Sequence, residues 1–232
     1  MLDGQFRTNI EKGLRPVGQS LRRTGISADH LTGLGVVMAG AAAVSIAVGN
    51  LSLGLLFLIL TGVPDALDGA VAKASGTAGP RGAFFDSTAD RLSDALLFGG
   101  VAWYLSVEHP GQLVMLPMAV MAASLIISYE RARAESLGFN AKGGIMERAE
   151  RLILLGLALL FPVLLIPVLW VMLVLTAFIA GQRFVKVWRQ ASTSRPQRLR
   201  QRRTARRRAS RSTRTRPSGR SRWDSLGDRR TR

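Results

Sequence analysis

An all-α, polytopic membrane protein, with six transmembrane helices and an N-terminal amphipathic surface helix, is the fold class that three features of this sequence predict. Hydrophobic residues make up 47% of the chain, yet its formal net charge is +17, so apolar and basic side chains must be segregated. Several apolar runs reach or approach the roughly twenty residues that cross a bilayer as a helix. Every Lys and Arg falls in the N-terminal segment, in two of the connections between apolar runs, or in the C-terminal tail.

Each element follows from its residues. Residues 1–24 place Leu2, Phe6, Ile10, Leu14, Val17 and Leu21 on one helical stripe, with Arg7, Lys12, Arg15, Arg22 and Arg23 mostly off it; this predicts an amphipathic helix on the membrane face. Ser27 or Asp29 offers an N-cap to a first span over residues 31–49, which carries no charge and is rich in Gly and Ala that permit close helix contact. A second span begins near residue 53 and runs into Asp65 and Asp68. The Gly/Pro-containing stretch 74–82 reads as a turn. A third span, Phe84 to about Val107, opens with Asp86, Asp90 and Asp94, and a fourth covers about Leu113 to Tyr129. The apolar run from Leu152 to Ala180 is too long for one crossing and contains Pro162 and Pro167, so it divides into two helices.

Charge sets the expected orientation. The connections near residue 50, at 108–112 and at 162–167 hold no Lys or Arg, which puts both termini and the 65–91 region on the cytoplasmic side of the cell membrane. From Arg183 to the end there are 19 basic and 2 acidic residues. This leaves a neutral transmembrane domain, residues 25–190, and an Arg-rich cytoplasmic tail, 191–232, whose Ser/Thr/Arg composition predicts disorder. Such a tail attracts anionic membrane lipids; nucleic acid is not an expected partner, because Trp223 is its one aromatic residue beyond Trp188. With no cysteine, disulfide and thiolate chemistry is excluded.

The costly feature is acidic. Asp65, Asp68, Asp86 and Asp90 lie between two apolar segments, and carboxylates beside a bilayer segment point to a functional site. In helices, Asp65 and Asp68 share one face and Asp86 and Asp90 another. Their mutual repulsion must be relieved by a divalent cation or by protonation. Oxygen donors without Cys or His favour Mg2+ or Mn2+ over zinc.

The run Asp65-x2-Asp68-Gly69-x2-Ala72-Lys73-x8-Gly82-x3-Asp86-x3-Asp90 resembles the signature of the CDP-alcohol phosphatidyltransferases. It departs from that signature in Lys73, where the family usually has arginine. The resemblance implies that residues 25–190 form a catalytic domain. It also implies two divalent ions held by Asp65, Asp68, Asp86 and Asp90, with Asp90 chiefly the general base. Asp29, Thr32, Gly69, Lys73 and Gly79 are implied to contact the CDP-lipid, Gly79 through its backbone. Arg131, Arg151 and Arg183 match positions that bind the acceptor phosphate in the similar actinobacterial phosphatidylinositol phosphate synthases. Guanidinium groups suit a phosphate monoester because they match its oxygens bidentately. Arg133 and Arg148 are read instead as positive-inside anchors or as partners of Glu135 or Glu147, Asp94 as orienting or structural, and His30 and His109 as non-catalytic.

The implied reaction transfers a phosphatidyl group from CDP-diacylglycerol to inositol 1-phosphate, giving phosphatidylinositol phosphate and CMP, in a homodimer. Two alternatives stay open: phosphatidylglycerophosphate synthesis, with glycerol 3-phosphate as acceptor, and a non-enzymatic membrane-anchored module that binds anionic lipid or nucleic acid.

Overall fold

The computed structural model describes residues 27–75, 79–141 and 147–214, with the side chains of all but 65–75 and 193–214. The expected surface helix over residues 1–24 lies outside the described residues. Those described form six helices and no strand: α1 (Ala28–Ala47), α2 (Leu51–Ser75), α3 (Pro80–Glu108), α4 (Met115–Ser136), α5 (Arg148–Leu160) and α6 (Leu165–Arg214). Single 3-10 turns, Gln112–Val114 and Pro162–Leu164, precede α4 and α6.

Local chemistry sets the boundaries. Ser27 caps α1: its Oγ accepts from the His30 amide, and the His30 ring accepts from the Ser27 amide. His30 thus fills the role usually taken by Glu or Gln in a capping box. Gly79 and Pro80 open α3, with Pro80 where its missing N–H costs nothing. Helix α4 ends on Gly138, whose φ of 79° is left-handed. There the Phe139 amide donates to the Ala134 carbonyl and the Gly138 amide to that of Glu135, the two bonds of a Schellman closure. Of the two prolines expected to divide the last apolar run, Pro162 makes the break. Pro167 sits in the first turn of α6, where no helical N–H bond is lost.

Two compact units divide the chain at Val185 and Lys186. In the first, α1 packs on α2 and α3, α3 on α4, and α2 on α5. Ile46, Leu97, Val101, Leu105, Leu155, Leu169 and Met172 are fully enclosed. Small residues let α1 and α3 approach closely: a Cβ on Gly100 would stand 2.5 Å from the Ala43 carbonyl oxygen. Such backbone contact drives helix association in lipid, where apolar burial alone gives little. Val37, Leu56, Trp103, Trp170 and Phe178 are by contrast more than half exposed, a distribution suited to lipid rather than water.

In the second unit the backbone is helical through Arg214, into the tail for which composition predicts disorder. Arg, Gln and Ala, which dominate residues 197–209, are strong helix formers.

Among the described residues, three stretches are long and apolar enough to cross a membrane: Ala28–Ala47, Gln112–Ser136 and Pro162–Ser192. The other three expected crossings are limited in different ways. The apolar part of α2 is Leu51–Pro64, α3 carries three carboxylates in its first half, and α5 has 13 residues.

Candidate active site

The three aspartates of α3 are spaced by single turns, so one face of the helix presents Asp86, Asp90 and Asp94 in succession. Its first two members line a cleft shared with Thr32, Gly35 and Val36 of α1, Thr61 of α2, and Ala89, Ser93 and Arg148. Gly35 faces α2, where a Cβ would stand 3.7 Å from Pro64 Cβ and from the Thr61 carbonyl oxygen, while Thr32 and Thr61 donate their hydroxyl protons to the carbonyls of Ala28 and Phe57. The cleft is narrow and partly open to its surroundings, small beside a nucleotide-lipid.

Two arginines one turn apart on α5 face this acidic row. Arg148 Nη1 lies 2.5 Å from Asp90 Oδ1, and its Nε lies 3.9 Å from Asp94 Oδ1. Arg151 pairs with Asp94 Oδ2 at 2.5 Å. Both members of that second pair are 5% exposed. The pairs form a ladder in which Asp94 belongs to both rungs.

The site residues expected from the sequence are placed to different extents. Thr32, Asp86 and Asp90 come together at the cleft. Asp29, in the first turn of α1, instead forms an exposed ion pair with Arg81 at 3.5 Å, linking the starts of α1 and α3. Gly79 is the exposed N-cap of α3. Asp65, Asp68, Gly69 and Lys73 lie on the helical backbone of α2, and their side chains are outside the described residues.

The three arginines expected to bind phosphate sit on three helices. Arg131 contacts Glu135 at 3.3 Å and Glu147 at 3.6 Å. Arg151 is on α5, and the buried Arg183 of α6 donates to the Ile127 carbonyl at 3.0 Å. Arg183 is within electrostatic reach of Arg131, Glu130, Glu135 and Glu147, so α4 and α6 build one charged cluster. Arg148 corrects the reading of it as an anchor or a partner of Glu135 or Glu147: it forms ion pairs with Asp90 and Asp94.

Among the described residues, no three acidic or histidine side chains converge tightly enough to hold a metal ion by themselves. The donors present nonetheless fit a hard cation. Asp86 and Asp90 offer oxygens to one cleft that has neither His nor Cys on its walls, and α2 brings the helical positions 65 and 68 one turn apart beyond Thr61.

Residues 26–188 match the family model for CDP-alcohol phosphatidyltransferase. Over 191 residues the chain is 37% identical to archaetidylinositol phosphate synthase of Methanothermobacter thermautotrophicus, covering 80% of this chain and 94% of that one. It is 33% identical over 192 residues to phosphatidylinositol phosphate synthase of Mycobacterium marinum, covering 78% and 82%. Two crystal structures of the Mycobacterium tuberculosis phosphatidylinositol phosphate synthase are similar at 32% identity. The one with CDP-DAG bound has a TM-score of 0.70 and covers 75% of this chain and 93% of that chain. The one in complex with manganese and citrate has a TM-score of 0.69 and covers 75% and 88%. Together with the aspartate spacing and the helical architecture, these matches establish that the chain is an enzyme of the CDP-alcohol phosphatidyltransferase family.

Proposed function

We infer that this enzyme transfers the phosphatidyl group of CDP-diacylglycerol to inositol 1-phosphate, releasing CMP and forming phosphatidylinositol phosphate. The observation that carries the reading is the meeting of Asp86 and Asp90 with Thr32 at one cleft, beside a ladder of arginines. The relatives support the acceptor. Those from the archaeon and from Mycobacterium differ in the lipid of their names and share the inositol phosphate product. The family assignment sets aside the reading as a non-enzymatic binding module.

In the proposed reaction the acceptor hydroxyl oxygen bonds to the β-phosphorus, the bond from that phosphorus to CMP breaks, and the hydroxyl proton passes to the Asp90 carboxylate. Asp65, Asp68, Asp86 and Asp90 would hold two divalent ions, Mg2+ or Mn2+, which supply charge neutralisation at the pyrophosphate and stabilise the departing CMP. Gly69 gives the nucleotide close access to α2, and Lys73 supplies a point charge where an arginine would grip bidentately. Asp29, Thr32 and the Gly79 backbone border the donor. Arg131, Arg151 and Arg183 hold the phosphate of the acceptor, and Asp94 fixes Arg151 in place for that task.

The same reading makes all six helices membrane crossings. The acidic face of α3 is then turned to the cleft and its apolar remainder to neighbouring helices and lipid, so composition alone understates its fitness to span. Both termini and the cleft lie on the cytoplasmic side of the cell membrane, and the enzyme is a homodimer associating through exposed apolar faces.

The acceptor is tested by supplying the purified full-length protein with CDP-diacylglycerol, Mg2+ or Mn2+, and one labelled acceptor at a time. Label is expected to enter lipid from inositol 1-phosphate, with an equal amount of CMP released, and not from glycerol 3-phosphate. The reverse pattern would replace the acceptor and keep the chemistry.

A further inference from the structure

Asp90, read above as a metal ligand and proton acceptor, is already held by a cation belonging to the chain. Arg148 lines the cleft, its side chain is 14% exposed, and its Nη1 lies 2.5 Å from Asp90 Oδ1. A charge-assisted hydrogen bond of this kind opposes any other cation seeking the same oxygen, because guanidinium and metal ion repel each other at close range.

A second observation shows where the guanidinium can go. Asp94 Oδ1, one turn further along α3, is buried and accepts no hydrogen bond among the described residues, while the other oxygen of Asp94 is taken by Arg151. Leaving a carboxylate oxygen buried without a donor costs free energy. Arg148 Nε stands 3.9 Å away, so a shift of about 1 Å would bring it within hydrogen-bond distance.

We propose that Arg148 is a resident counter-cation of the metal site, resting on Asp90 while no divalent ion is bound and moving to Asp94 Oδ1 when one enters. The inference rests on the reading of Asp90 as a metal ligand. It gives the metal-free site a positive charge beside Asp90. It also makes the displacement of Arg148 part of metal binding, which lowers the affinity below what the carboxylates alone would give. Asp90 Oδ1 is released only by that displacement, which ties its use to metal loading.

The test is a Mn2+ titration of the full-length protein in detergent, following the paramagnetic resonance signal of free Mn2+. Arg148→Gln is expected to tighten Mn2+ binding by about tenfold. Arg148→Lys, which replaces the fork by a single ammonium, should tighten it by a smaller factor. The rise in Tm on saturating with Mn2+ should be larger for Arg148→Gln than for the parent, because only the metal-free form loses the Asp90 contact. Unchanged or weaker Mn2+ affinity in Arg148→Gln would overturn the proposal; if that variant does not fold, the same result in Arg148→Lys overturns it. Parent, Asp86→Asn and Asp90→Asn proteins binding Mn2+ alike would instead remove the metal-ligand reading, an outcome visible without any change at Arg148.

Discussion

Asp90→Asn is expected to lower kcat for CMP release by about 10²- to 10⁴-fold, the range that loss of a positioned general base produces. The amide keeps the shape of the carboxylate and cannot accept the hydroxyl proton. Its fold should persist, since Asp90 is only partly buried and Arg148 retains Asp94 as a neighbour. Asp86→Asn separates base from ligand. If Asp86 only helps to hold the ions, raising Mn2+ restores much of its activity, whereas Asp90→Asn stays inactive at any metal concentration. Steady-state assays across a Mn2+ series read both variants, and a loss smaller than tenfold in Asp90→Asn would take the base assignment away from this residue.

The second large effect is on stability. Asp94 and Arg151 form a buried pair between α3 and α5, and removing one partner of such a pair leaves an uncompensated charge at a cost of about 3–5 kcal/mol. Asp94→Ala and Arg151→Ala should each lower the unfolding midpoint substantially in detergent. The double variant should be less destabilised than the sum of the two, because no charge is then left alone. Arg151→Lys distinguishes anchoring from substrate contact. A lysine can still face Asp94, but it cannot hold that carboxylate and a phosphate with one planar fork. It should therefore keep most of the stability while raising KM for inositol 1-phosphate more than KM for CDP-diacylglycerol. Equal changes in the two KM values would argue that Arg151 serves packing only.

Much of the architecture was legible because its determinants are local. The charge-free run after His30, Ser27 as its cap, Pro162 as the break between α5 and α6 and Pro80 at the start of α3 are all written within a few residues of where they act. The pairing of Asp86 with Asp90 was legible for the same reason, since helical periodicity fixes it. Arg148 was not, because its partner is 58 positions away and nothing near it in sequence distinguishes it from a surface anchor. The contact of Asp29 with Arg81 was not legible either, since it depends on how α1 and α3 start beside each other. Residues 191–214 show two rules in conflict: net charge and low hydrophobicity argue for disorder, while Arg, Gln and Ala favour helix where the apolar part of α6 supplies the nucleus.

The central claim is that α2 and α3 together hold divalent ions between their aspartates. Crystals of the full-length protein grown with Mn2+ and measured for anomalous scattering test it most directly. The account predicts anomalous peaks bounded by carboxylate oxygens of Asp65, Asp68, Asp86 and Asp90. Saturating Mn2+ with no peak among these four residues, and with Asp90 still engaged by Arg148, would contradict it.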